Sequence, residues 1–200
     1  MALITTAIPK QNFELVRDKI GVILADELPN QATLNANTDL NVQVYSERLT
    51  PINASELSFV NISYNNSSFD ENTTVQSVGD NTYFIDVYCR AKSDVVINGD
   101  TKSVLKRDRI VGVIRAILEN PVYRTLGFVA PSLNRTTVTQ IQTPDSFNSK
   151  DSSFVAIARI TFVVNVPEKV SLINANIIQG MSTSIKLSET EKGFVYIDDF

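Results

Sequence analysis

The sequence predicts an α+β fold, in which a mostly antiparallel sheet carries two main helices on one face. Two stretches with apolar residues at helical spacing stand before and after groups of strand-like segments, and turn signals separate neighbouring strands. Helices and strands do not alternate one by one, as they would in a parallel α/β fold. We therefore expect most neighbouring strands to pair antiparallel.

The first predicted helix runs from Lys10 to Leu28. Charged residues occupy one of its faces, and the apolar residues of the other face are Phe13, Val16, Ile20, either Ile23 or Leu24, and Leu28. Pro29 lacks an amide hydrogen, and Asn30 favours a turn, so this pair predicts the end of the helix.

Strands are predicted next over residues 42–46, 57–64 and 82–91. In the third of them, one face is the more apolar and is expected to point to the core; it consists of Tyr83, Ile85, Val87 and Cys89. Gly79-Asp80-Asn81, just before this strand, predicts a tight turn.

The polar segment 65–74 predicts an exposed loop, in which Phe69 is the one large apolar residue. Two interpretations of Phe69 stay open. It is either an anchor on a neighbouring subunit or a side chain that folds back onto its own sheet.

A second helix is predicted over residues 101–119, followed by strands over 135–143 and 152–166. The last strand has the strongest signal. One of its faces carries Phe154, Ala156, Ala158, Ile160, Phe162 and Val164, and the other carries Val155, Ile157, Arg159, Thr161 and Val163. We expect residues 1–166 to form the α+β core domain.

Residues 167–200 hold only short apolar clusters, which indicates an extended C-terminal arm. Its candidate contacts to another subunit are Phe194, Tyr196 and Phe200.

The charge pattern bears on nucleic acids and membranes. The net charge is -4 and the pI is about 4.9, so the whole chain does not attract a polyanion from a distance. Lys102, Lys106 and Arg109 belong to the one dense basic stretch. They form either a solvated helix face or a positive face that lines a DNA channel. No apolar run has the length of a membrane span, and no signal peptide is seen at the N-terminus.

The composition argues against an enzyme. The chain has no histidine and a single cysteine, which excludes triads that use histidine and zinc sites rich in cysteine. Glycine-rich phosphate-binding motifs are missing. The acidic residues do not follow the pattern of a calcium-binding loop, so we interpret them as solvent-exposed charges. We expect no catalytic residue, no cofactor and no metal, and a buried Cys89.

Residues 10–166 resemble the tail terminator family of tailed phages and, more broadly, their small ring-forming neck and tail-completion proteins. The resemblance lies in the early amphipathic helix (13–24), the strands after it, the second helix (109–118) and the closing strand (158–164). It implies a homo-oligomeric ring, commonly of six subunits, that caps the tail tube or sheath and joins it to the head connector.

The same resemblance implies a place in the virion, after assembly in the host bacterial cytoplasm, with DNA met only in a channel lumen. The 65–74 loop and the 167–200 arm depart from the family layout and are candidates for contacts between subunits. Two other functions stay open. One is a different virion role, such as a baseplate or head-completion protein, and the other is a monomeric surface-binding module.

Overall fold

The computed structural model describes residues 7–49, 58–70, 76–128, 133–144, 147–148, 153–169, 185–190 and 193–198. Its elements are α1 (Asn12–Leu34), β1 (Gln43–Ser46), β2 (Ser58–Asp70), β3 (Gln76–Lys92), α2 (Gly99–Leu118), β4 (Arg135–Gln142), β5 (Phe147–Asn148), β6 (Ser153–Lys169), β7 (Ile185–Thr190) and β8 (Gly193–Asp198). Two short 3₁₀ helices, Thr38–Leu40 and Pro121–Tyr123, follow α1 and α2.

The main sheet has the strand order β1-β2-β3-β6-β4, and β5 pairs with β6 beside this path. Every pairing is antiparallel except that of β1 with β2, which is parallel. The α+β prediction is therefore confirmed. The chain divides into two units. One is formed by residues 10–170, which hold this sheet and both long helices, and the other by residues 1–9 together with 171–200. The second unit contains the antiparallel hairpin β7–β8.

The core lies between the sheet and the two helices. α1 packs on β1 and β2, while α2 packs on β3 and β6. The predicted apolar face of β3 is fully buried there, as are Ala156, Ala158, Ile160, Phe162 and Val164 of β6. The alternation of side chains along β3 thus identified its core face correctly.

The predicted end of the first helix at Pro29 is wrong, because α1 continues to Leu34. Leu28 and Ala32, on either side of the proline, pack in or against the core. The helix ends where Ala36 adopts a positive φ of 48°. There Asn37 N donates to Ala32 O at 2.9 Å and Ala36 N donates to Thr33 O at 3.2 Å, which is the Schellman arrangement. Packing on both sides of the proline offsets the hydrogen bond that it removes.

The loop predicted over 65–74 is also wrong over much of its length. β2 runs on to Asp70, and β3 already begins at Gln76. The Gly79-Asp80-Asn81 turn is wrong for the same reason, since these residues lie inside β3 and pair with β2 on one side and β6 on the other. A glycine is needed at residue 79 because a Cβ there would lie 2.6 Å from Phe69 Cδ1.

Candidate interaction surfaces

The basic residues of α2 have polar partners. Lys102 Nζ lies 2.7 Å from Asp94 Oδ2, and Lys106 Nζ lies 3.1 Å from Asp39 Oδ1. Arg109 Nη2 donates to Asn35 Oδ1 at 2.8 Å. Two of the three charges are therefore neutralised locally, which weakens the field that they would present to DNA. Their assignment to a channel face stays a prediction.

Asp94 sits in a turn just before α2. Besides the ammonium of Lys102, its carboxylate accepts hydrogen bonds from Val96 N at 2.9 Å and Ile97 N at 2.7 Å. The hydrogen bond from Lys102, followed by the two backbone donors, holds the pKa of Asp94 well below its ordinary value. This turn fixes the approach to the start of α2.

Phe69 lies near the tip of the β2–β3 hairpin. Its ring covers Gly79 on the opposite strand, yet 53% of the residue stays exposed. It thus folds back onto its own sheet, as one of the two interpretations expected, and still offers part of its ring to solvent. A partner contact through Phe69 remains a prediction.

The other aromatic candidates belong to the C-terminal segment. Phe194 and Tyr196 lie on β8, where their Cα partners on β7 are Glu189 and Leu187. Phe200 lies outside the described residues.

β4 forms one end of the main sheet. It pairs with β6, and no described residue pairs with its other edge. The strand has eight residues, which are mostly exposed and include neither lysine nor proline. One irregularity interrupts its register between Val138 and Gln140. Charged side chains, proline and bulges are the usual protection of an edge against pairing with another chain, and β4 has one bulge and, at its first residue, Arg135.

The sheet face that points away from the helices carries an ion pair between its central strands. Arg159 on β6 stands directly opposite Asp86 on β3. Its Nε donates to Asp86 Oδ1 at 2.7 Å and its Nη2 to Asp86 Oδ2 at 2.8 Å. The guanidinium carbon also lies 4.3 Å from the ring centroid of Phe84. The Asp86 side chain is 7% exposed and that of Arg159 is 41% exposed, so the pair is buried on the carboxylate side only.

Aromatic residues continue this face towards β1. Phe59 and Tyr88 stack with ring centroids 4.6 Å apart, and Tyr45 meets Phe59 edge-on at 5.6 Å. The guanidinium of Arg48 lies over Phe59, and its backbone is held by the side chain of Asn61, which accepts from Arg48 N at 2.9 Å and donates to Arg48 O at 3.2 Å. The chain after β1 therefore covers this half of the face.

A cleft of about 520 Å³ opens between the ion pair and the chain after β4. It is lined by Asp86, Tyr88, Gln142, Thr143, Pro144, Ile157 and Arg159. Burial raises the pKa of the Tyr88 hydroxyl, and the nearby charge of Asp86 adds to this effect. The sequence alone did not single out this site. The one signal was that Asp86 and Arg159 interrupt strands whose neighbouring positions are apolar or aromatic.

A second, smaller cleft of about 370 Å³ lies between α1 and α2. The hydroxyl of Tyr123 donates to the carboxylate of Glu27 at its border. This contact is the main reason why the pKa of Glu27 is lowered and that of Tyr123 is raised.

The described residues contain neither a reactive thiol nor a cluster of metal ligands. Cys89 is buried, as expected, and burial raises the pKa of its thiol to about 12, far from that of a reactive thiolate. Within the described ranges, no three acidic, histidine or cysteine residues come together as metal ligands would. No described helix is long and apolar enough to cross a membrane. Neither a known protein family nor a curated protein sequence matches this chain.

Proposed function

We propose that this protein is a structural subunit that assembles with copies of itself into a ring, and that the ring belongs to the tail or neck of a phage-like particle. The observation that carries the ring is the outer edge of β4, with which no described residue pairs and which only one bulge and the terminal Arg135 protect. An exposed strand edge presents unpaired amide and carbonyl groups that a strand from another chain can complete.

The directions of the strands suggest how copies would join. β1, β2 and β6 run in one direction, whereas β3 and β4 run in the opposite direction. β4 is thus antiparallel to β1, which lies at the other end of the sheet. Copies related by rotation about an axis along the strands would set β4 of one subunit beside β1 of the next in antiparallel sense. Such a head-to-tail contact closes into a ring when the rotation closes.

The setting in a phage tail or neck rests on the resemblance over residues 10–166. The α+β fold agrees with the layout on which that resemblance depends. In this setting the ring would cap the tail tube or sheath and contact the head connector, and DNA would pass through its lumen. A baseplate or head-completion role would use the same edge.

The first experiment is light scattering of the purified protein at several concentrations, with negative-stain images of the same samples. A ring of fixed copy number supports the proposal. A monomer at every concentration, both alone and with tail tubes, would favour the monomeric surface-binding module instead.

Two neighbouring substitutions, Thr136→Pro and Thr137→Pro, test the β4 edge. Successive amides of an edge strand point alternately to the sheet and to the free edge. One proline therefore removes a bond between β4 and β6 and lowers stability, while the other removes only an outward donor. We expect the outward variant to keep the unfolding midpoint of the wild-type monomer and to lose the ring. If both variants still form the ring, the β4 contact is wrong.

The C-terminal arm needs a separate test, since it is an independent candidate for subunit contacts. A shortened chain without residues 171–200 keeps the whole main sheet and both long helices. We expect it to form a weaker ring, with a dissociation midpoint at higher protein concentration. An unchanged ring would exclude the arm and leave the β4 edge untouched.

A further inference from the structure

Arg159 has hydrogen-bonding capacity that its contacts with the described residues do not use. Asp86 accepts one hydrogen bond from Nε of Arg159 and one from Nη2. A guanidinium has five N–H donors, so both donors of Nη1 and the second donor of Nη2 remain. Among the described residues no acceptor takes these hydrogen bonds. One N–H of Nη1 and the remaining N–H of Nη2 point in parallel, and we call this pair of donors the fork of Arg159.

The position of this fork is set in advance. The two hydrogen bonds that Arg159 donates to Asp86 hold the plane of the guanidinium, and the ring of Phe84 lies against one of its faces. Since the side chain of Arg159 is 41% exposed at the border of the 520 Å³ cleft, the fork can be reached from solvent. A donor fork that is held rigid loses little freedom when a ligand binds.

The rest of the cleft combines an apolar floor with a few polar groups. Tyr88 and Ile157 stand opposite each other on β3 and β6 and form the floor. Gln142 and Thr143 border the other side, and neither their side chains nor the Tyr88 hydroxyl has a hydrogen-bond partner among the described residues. A concave apolar surface with a few unpaired polar groups is characteristic of ligand sites, and the volume falls within the range usual for them.

We propose that this cleft binds a small monocarboxylate with an apolar body. The carboxylate accepts the two parallel donors of the Arg159 fork, and the apolar body lies on Tyr88 and Ile157. A planar fork matches a carboxylate better than it matches a single carbonyl oxygen. Among the described residues that line the cleft, Arg159 is the one cation, and Asp86 already offsets its charge, so a phosphate dianion would meet too little compensation. This inference does not depend on the ring.

Ligand-detected NMR tests the proposal on the full chain, with phenylpropionate and the uncharged phenylpropionamide as probes. We expect saturation transfer to the aromatic protons of phenylpropionate, and binding of the amide at least about tenfold weaker, since a charge-assisted hydrogen bond contributes about 1.5–3 kcal/mol. Inorganic phosphate should not compete. Equal binding of acid and amide, no binding of the acid, or displacement by phosphate would each overturn the proposal, and none of these results needs a variant.

Two variants locate the site. Asp86→Asn combined with Arg159→Gln keeps a neutral hydrogen-bonded pair and removes the fork, while Ile157→Trp fills the floor and leaves the ion pair in place. Both should lose phenylpropionate binding, with folding checked by circular dichroism. Arg115→Gln, which removes an exposed guanidinium that pairs with Glu119 on α2, is the matched control and should bind normally. Binding that survives in both site variants would refute the location.

Discussion

Removing Arg159 while keeping Asp86 should destabilise the fold more than removing any exposed arginine. Arg159→Met keeps the apolar stem over Phe84 but leaves a carboxylate that is 7% exposed without its two donors. Breaking a fully buried ion pair by removing one partner costs about 3–5 kcal/mol. Here the arginine side is 41% exposed, so water can reach the site from that side, and we reduce the expected cost to about 2 kcal/mol.

Chemical denaturation at neutral pH, followed by circular dichroism, measures this cost. The control is Arg115→Met, which removes an exposed pair with Glu119 in the i,i+4 positions of α2 and should cost only about 0.3–0.5 kcal/mol. Asp86→Asn completes a double-mutant cycle with Arg159→Met, in which we expect a coupling energy of about 1 kcal/mol. If Arg159→Met costs no more than the control, the pair does not stabilise this sheet face and the reasoning fails.

Three further results are expected. Gly79→Ala should lower the free energy of urea unfolding by about 1–3 kcal/mol, because the new Cβ would meet Phe69. Gly112→Ala on α2, where the space is open, should raise it by up to about 1 kcal/mol. Equal effects of the two substitutions would contradict this reasoning. The thiol of Cys89, with its pKa raised to about 12, should react with a disulfide reagent only as fast as the chain opens, and rapid labelling of the native protein would refute burial. The pKa of Asp94 is lowered in the folded state, so its contribution to stability is complete above its unfolded value of 3.8 and is lost as pH falls towards the folded value. Asp94→Asn should therefore flatten the acid side of the stability profile, and an unchanged profile would contradict that.

Several features of the fold were predictable because they depend on local periodicity. The helical spacing from Val16 to Leu28 identified the buried side of α1, and the alternation from Tyr83 to Cys89 identified the core face of β3. Both patterns arise because a helix or strand that covers a core must place its apolar side chains on one side. Both patterns can be identified without knowing which element packs against the helix or the strand.

Local signals failed where packing and pairing outweighed them. Pro29 predicted a helix end, yet contacts of Leu28 and Ala32 carry α1 beyond it. Gly79-Asp80-Asn81 predicted a turn, yet hydrogen bonding to strands on both sides keeps these residues extended. In each case a local preference of a few kcal/mol or less competes with many long-range contacts.

The sequence by itself determined the two helices, the strands that bury one face, and the expectation that no histidine or cysteine chemistry operates. Only the tertiary structure decided that β1 runs parallel to β2, that β4 is left at an edge, and that Asp86 meets Arg159. The physical reason is register. Residues 86 and 159 are far apart in the chain. They become neighbours because β3 and β6 pair along their whole length in one register, and the sequence of either strand alone does not fix that register.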